Sequence, residues 1–288
     1  MRSPDPLRTV LDVLDLDQTD VDTFTGGNLH QPGGRVFGGQ VLAQSLLAAA
    51  RTVDEPDRSP HSVHGYFLRA GDVDQPITFV VERMRDGRSF SARRTHALQA
   101  GAPILAMTTS FQARQPGLEH ADSPPTAAPR PESVPSAVDV LGAVEHPVAD
   151  FWTQTNAFDL RHVEESIYLD PPAVATDRQM VWMRARGPVP DTQVLHRALL
   201  AYACDQVMLE PLLRRHGLSW ASDGLSIASL DHAMWWHRDL RVDEWLLYVQ
   251  SAPSAQGGRG LGAARVYTEG GTLVASIAQE GMLRVPEV

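Results

Sequence analysis

Apolar positions along this chain alternate between a helical period and a strand period, and the same alternation occurs twice. Residues 37–50 read FGGQVLAQSLLAAA, with Val41, Leu42, Leu46 and Leu47 at helical spacing behind a glycine pair. Alanines fill much of the remaining circumference, which predicts a helix buried on several sides. Residues 196–215, HRALLAYACDQVMLEPLLRR, predict a second helix that is apolar nearly all round. Segments with period-two alternation follow each helix. After the first come VHGYFLR, PITFVVERMR, RSFSARRTHALQ and APILAMTTSFQ. After the second come IASLDHAMWWHR, EWLLYVQSAP, RGLGAARVYTEG and GTLVASIAQEGMLR. Asp86-Gly87 and Gly270-Gly271 supply turns between strands. The spacing of DGRSF, ARR and QAGAPILAMTTSFQ repeats in GGRGL, AAR and EGGTLVASIAQEG at an offset of roughly 170 residues. The expectation is a duplicated α+β unit: one long helix and an antiparallel sheet curled around it, used twice.

Between the halves, residues 113–148 are rich in Pro, Ala and Ser and lack long apolar periodicity. Prolines at this density remove backbone donors and extend their neighbours, so a linker laid over the surface is expected. The organisation read from this is an N-terminal unit at 1–115, a linker at 116–150 and a C-terminal unit at 151–288.

Composition narrows the function classes. The 288 residues are 43% hydrophobic, enough for a sizeable core. The formal net charge of −10 argues against broad nucleic-acid affinity and leaves room for a local basic pocket facing a phosphorylated ligand. Cys204 is the only cysteine, which excludes an intrachain disulfide and a Cys-based zinc site and fits a reducing compartment. The first twenty residues lack the apolar core of a signal peptide, and no window approaches the ~18–20 apolar residues of a membrane span. A cytoplasmic protein without stable membrane insertion is the expectation.

Common catalytic templates are missing. GLSWA at 217–221 fails the serine-hydrolase elbow at its last position, H-E-x-x-H is absent, and no glycine cluster has P-loop or Rossmann spacing. The stretch SIASLDHAMWWHRDLRVDEWLLY at 226–248 concentrates His, Trp and acids. Strand alternation puts His232, Met234 and Trp236 on one face and Asp231, Ala233, Trp235 and His237 on the other, which argues against a metal shared by the two histidines. Asp205 differs, because a carboxylate in a mostly apolar helix costs several kcal/mol unless it is paired or hydrogen-bonded. It lies either on one wet stripe of the helix or at a pocket wall where it works on water. Ser229 and Gln279 look ordinary when each is taken alone.

Taken in order, RVFGGQVLAQSLLAAA, VHGYFLRAGD, ERMRDGRSFSARR, SFQARQPGLEH, HRALLAYACD, IASLDHAMWWHR, DEWLLYVQSAPSAQGGRGL and LVASIAQEGMLR resemble the TesB-type acyl-CoA thioesterases, from about Phe24 to Arg284. The resemblance implies a double hot-dog fold whose two sheets join edge to edge. It implies hydrolysis of fatty acyl-CoA to fatty acid and CoA by a water held by Asp205, Ser229 and Gln279, with no cofactor and no metal. Cys204 departs from the serine usual before the acid. Gly38 and Gly39 at the first helix start are candidate oxyanion donors, and Arg88 and Arg259 are candidates for the CoA nucleotide. Open sheet edges and the resemblance together suggest a homo-oligomer. Two other readings stay open: a hot-dog hydratase using Asp191 and His196, and a non-catalytic acyl-CoA-binding module. Asp231 and His232 are expected to support the site structurally.

Overall fold

The computed structural model describes residues 5–31, 34–125 and 128–285, Val148 by its backbone alone. The chain opens with α1 (Pro6–Leu14), β1 (Asp17–Asp20) and β2 (Thr23–Gly26), followed by the buried helix α2 (Gly38–Ala50). Four strands come next: β3 (Arg58–Phe67), β4 (Ile77–Asp86), β5 (Phe90–Gln99) and β6 (Ala102–Ala113). The linker carries the short α3 (Ala137–Leu141) and α4 (Pro147–Asp150). The second half repeats the order with β7 (Phe158–His162), β8 (Arg178–Ala185), α5 (Gln193–Cys204) and the added α6 (Glu210–Arg215). Then follow β9 (Ser226–Ser229), β10 (Asp231–Trp236), β11 (Leu246–Gln256), β12 (Arg259–Thr268) and β13 (Leu273–Arg284).

All the strands belong to one antiparallel sheet in the order β1-β2-β4-β5-β6-β3-β10-β13-β12-β11-β8-β7, with β9 added beside β13. Read outward from the β3–β10 seam, the two arms have the same connectivity. That is the duplicated helix-plus-sheet architecture expected from the periodicity, joined edge to edge. At the seam, Asp231 to Trp235 pair with Tyr66 to Ser62. This pairing removes two exposed edges that would otherwise attract other chains. Helices α2 and α5 pack against each other within the sheet's curve, and their apolar residues form most of the main core. A smaller apolar cluster lies under the linker, where Val134 meets Trp182, Trp245, Leu247 and Tyr267. The Trp182 indole also donates to the Pro129 carbonyl at 2.9 Å.

The second helix is shorter than the 196–215 reading. It stops at Cys204, and α6 starts again at Glu210 after tighter turns. Pro211 in the first turn of α6 has no N–H to donate back to the preceding turn, so a continuous helix would lose that bond. The break also seats a buried polar cluster. The Glu210 carboxylate accepts from His162 Nε2 at 2.8 Å, Gln179 Nε2 at 2.7 Å and Trp220 Nε1 at 3.0 Å. Arg214 Nε donates to Gln179 Oε1 at 2.6 Å. Burial by itself would raise the Glu210 pKa; the His162 charge and the three donors outweigh it, and the net direction is down.

Because the folded carboxyl binds its proton less tightly than the unfolded one, Glu210 contributes stability above the ordinary carboxylate range. That contribution is lost as pH falls through the lowered folded value. Glu210→Ala should cost about 3–5 kcal/mol, by stranding its buried donors. Chemical denaturation at neutral pH would show this as a lower midpoint. Glu210→Gln should flatten the decline of the midpoint below about pH 5, and an unchanged acid slope would assign that decline to other groups.

Candidate functional site

Two helix ends meet at the centre of the molecule. Helix α5 terminates with Asp205 as its C-cap, and helix α2 starts at Gly38 with no side chain capping its N-terminus. A Cβ at Gly39 would lie 2.4 Å from the Tyr202 carbonyl oxygen. One at Gly38 would lie 2.8 Å from Asp205 Oδ2 and 3.1 Å from the Phe67 ring. The glycine pair therefore lets the positive end of one helix dipole reach the carboxylate at the end of the other. The turn after Asp205 is held from two sides. Asn156 Nδ2 donates to Gln206 Oε1 at 2.9 Å, and Gln250 Nε2 donates to the Val207 carbonyl at 2.9 Å.

The second part of the site depends on a slip of strand register. In β10, Ala233 pairs with Ala278; in β9, Ser229 pairs with Gly281. The two strands are offset by one residue about Leu230, which is a β-bulge. Here the Leu230 N–H donates to the Glu280 carbonyl at 2.8 Å, and the Asp231 side chain accepts from the Glu280 N–H at 2.8 Å. Strict alternation would turn Ser229 to the Asp231 face, away from His232. The bulge restores Ser229 to the helix-facing side, the side of Gly281 and Gln279.

Asp205, Ser229 and Gln279 then close on one another. Ser229 Oγ donates to Asp205 Oδ1 at 3.1 Å, and Gln279 Nε2 donates to the same oxygen at 2.7 Å and to Ser229 Oγ at 2.7 Å. Gln279 is fully buried, while Asp205 and Ser229 are half-buried. A carboxylate only accepts, so the Gln279 end that faces it is the NH₂. The amide oxygen is left facing His232 Nδ1 at 2.8 Å, and that nitrogen must carry the proton. Burial pushes the His232 pKa down against the opposing pull of Asp205, the Gln279 bond and Asp231, so the ring is neutral near pH 7. Its Nε2 lies 3.6 Å from Cys204 Sγ, a thiol that burial and Asp205 keep protonated.

The comparisons with known proteins cover nearly the whole chain. A profile described as the acyl-CoA thioesterase N-terminal domain matches residues 27–112, and one described as acyl-CoA thioesterase matches 169–282. The chain is 37% identical to human acyl-coenzyme A thioesterase 8 over 99% of its length and 92% of the relative's. It is 32% identical to acyl-CoA thioesterase 2 of Haemophilus influenzae, covering 98% of this chain and 99% of that one. The chain belongs to the TesB-type acyl-CoA thioesterase family. The crystal structure of acyl-CoA thioesterase II TesB2 from Mycobacterium marinum superposes with a TM-score of 0.80 at 43% identity, over 96% of this chain and 99% of the other. A hot-dog protein from Alicyclobacillus acidocaldarius, 20% identical, has a TM-score of 0.79 over 97% and 99% of the two chains.

Within this thioesterase fold, the remaining sequence candidates part company. Gly38 and Gly39 come from the first unit and complete a site whose side chains come from the second. Arg259 lies on β12 opposite Met282, three residues along β13 from Gln279, and pairs with Glu280 at 3.2 Å. Arg88 does not join them. Its carbonyl accepts from Arg58 at the start of β3, whereas Phe67 at the far end of that strand touches the site. Ten residues of strand span about 30 Å, so Arg88 serves the opposite end of the molecule. His237 bonds Ser276 at 2.9 Å and is exposed, while His232 is buried. The Asp191–His196 pair is split as well: Asp191 binds Arg241 at 2.9 Å, and the buried His196 accepts the Val242 N–H at 3.2 Å. Sequence reasoning treated His232 as structural support and missed its bond to Gln279; the adjacent Asp-His in a strand bordering Gln279 was the available signal.

Gly39→Ala should destabilise the thioesterase by about 1–3 kcal/mol, despite the better helix propensity of alanine. Gly27→Ala, where nothing lies within 4 Å of the added carbon, is the control. Equal melting midpoints for the two variants would remove the close approach of the helices as the reason for the glycine.

Proposed function

We propose that the chain hydrolyses acyl-CoA thioesters by direct attack of water, with Asp205 as the base and Ser229 and Gln279 fixing its geometry. The observation that carries this reading is the shared acceptor, Asp205 Oδ1, which is filled by both Ser229 and Gln279. The other oxygen, Oδ2, faces the start of α2. With one oxygen anchored and the other turned to the helix end, the carboxylate is oriented to take a proton from a water aimed at a thioester carbonyl. The N–H groups at Gly38 and Gly39, at the positive end of the α2 dipole, are the donors we assign to the developing oxyanion.

Ser229 is not arranged as a nucleophile. Its hydroxyl donates to a carboxylate, and the nearby imidazole of His232 is committed to Gln279 instead of activating the serine. A water mechanism therefore uses every group in the role its hydrogen bonds already define. The leaving group is the CoA thiolate, which needs little help from a general acid at neutral pH because thiols are fairly acidic.

The test is thiol release from saturated acyl-CoAs of graded chain length, run beside hydration of an enoyl-CoA. Asp205→Asn should lower kcat by on the order of 10²- to 10⁴-fold while the melting midpoint stays close to that of the parent. Near-full activity in that variant would overturn the assignment of the base. Acyl-CoA binding without thiol release by the unmutated protein would make it a binding module, and enoyl-CoA hydration without thiol release would make it a hydratase.

A further inference from the structure

Gln279 is gripped at both ends, and the grip at its oxygen end involves a residue outside the cluster of Asp205, Ser229 and Gln279. We propose that His232 is a positioning residue. It donates from Nδ1 to Gln279 Oε1 and so fixes the amide with its NH₂ on Asp205 and Ser229. The proposal rests on the reading that Asp205, oriented by Ser229 and Gln279, takes the proton of the attacking water.

The hydrogen bonds leave no alternative arrangement. Gln279 Nε2 has two protons, one for Asp205 Oδ1 and one for Ser229 Oγ, both at 2.7 Å. Ser229 accepts one of these and passes its own proton to Asp205 at 3.1 Å. The amide oxygen has no exposure to solvent, and its 2.8 Å contact is His232 Nδ1. Without that donor a buried carbonyl would be left unsatisfied, which costs enough to move the side chain. A shift of about 1 Å in a group that orients a reactant can cost on the order of 10²-fold in rate.

The ring is suited to this task by its neutrality. The titratable groups around it are Cys204 and Asp205 at the end of α5 and Asp231 on its own strand, with the uncharged Gln279 on β13. A neutral His232 holds the amide without bringing a cation that would compete with water for the Asp205 charge. Nε2 faces the Cys204 sulfur at 3.6 Å, whose own proton goes to the Ala201 carbonyl at 3.3 Å, so the tautomer is set by the Gln279 contact.

Two variants and one spectrum test the proposal. His232→Leu keeps bulk but removes the donor, whereas His232→Asn keeps an N–H close to the Nδ1 position. The leucine variant should lose about 10- to 100-fold in kcat with KM changed less than about threefold, and the asparagine variant should recover most of the loss. Nitrogen-15 NMR of the histidine-labelled full chain, assigned by difference with His232→Asn, should show Nδ1 protonated and Nε2 bare from about pH 6 to 8. Three results would each overturn the role: parental kcat in a folded His232→Leu, no recovery in a folded His232→Asn, or a ring whose Nδ1 is bare. The NMR arm decides even if the leucine variant fails to fold. A parent protein that releases no thiol from any acyl-CoA would instead fell the hydrolytic reading on which the role rests.

Discussion

The contact on which the rest of the molecule depends is the near collision of two helix ends. At Gly39 the backbone of α2 comes so close to the Tyr202 carbonyl of α5 that a methyl group has no room. This approach is possible because both helices run inside one continuous sheet, and the sheet is continuous because β3 and β10 pair along the seam. Fusing two units in one chain fixes that pairing without the entropic cost of bringing two molecules together. The result is a composite centre in which one half supplies an uncapped helix N-terminus and the other supplies the acid that faces it.

Around that contact, precision comes from hydrogen-bond accounting more than from shape. Every proton of the Gln279 amide and the Ser229 hydroxyl has one destination. The bulge at Leu230 is what lets Ser229 take part, and Asp231 holds the bulge by accepting the Glu280 N–H. The acid that stands out beside His232 thus acts on the backbone, and its effect on Asp205 passes through the direction in which Ser229 points.

Sequence periodicity made the two central helices and the strands after them legible, because each alternates or repeats over at least six residues. The elements it left out are of two kinds: β1 is fully exposed and β2 has only four residues, whereas α1 and the eight-residue, mostly buried β8 lie outside the pattern of a helix followed by strands. The helix break after Cys204 was foreshadowed by Pro211, but the all-apolar pattern on either side outweighed it. Asp205 stood out physically, as an acid in an apolar run. Ser229 and Gln279 were grouped with it by family resemblance alone, since alternation would have turned Ser229 to the other face. Arg88 was misplaced for an instructive reason: duplication gives Arg88 and Arg259 the same local setting at opposite ends of the fold.

Within that duplication the cluster of Asp205, Ser229 and Gln279 is not repeated. In the sheet, Ser91 opposite Phe111 corresponds to Gly262 opposite Gln279, so the counterpart of the Gln279 amide is a fully buried phenyl ring. The C-cap of α2 is Arg51, where α5 has Asp205. His61, the match of His232 in strand position, bonds Ser110 at 2.8 Å instead of an amide. At that end a groove of about 1320 Å³ opens beside His61, Gln193 and Trp236. Each half has kept what the joint centre needs from it. The first retains the glycines at a helix start, which would serve no purpose opposite an arginine. The second retains the acid and its partners, which would be blocked if its facing helix began with any larger residue.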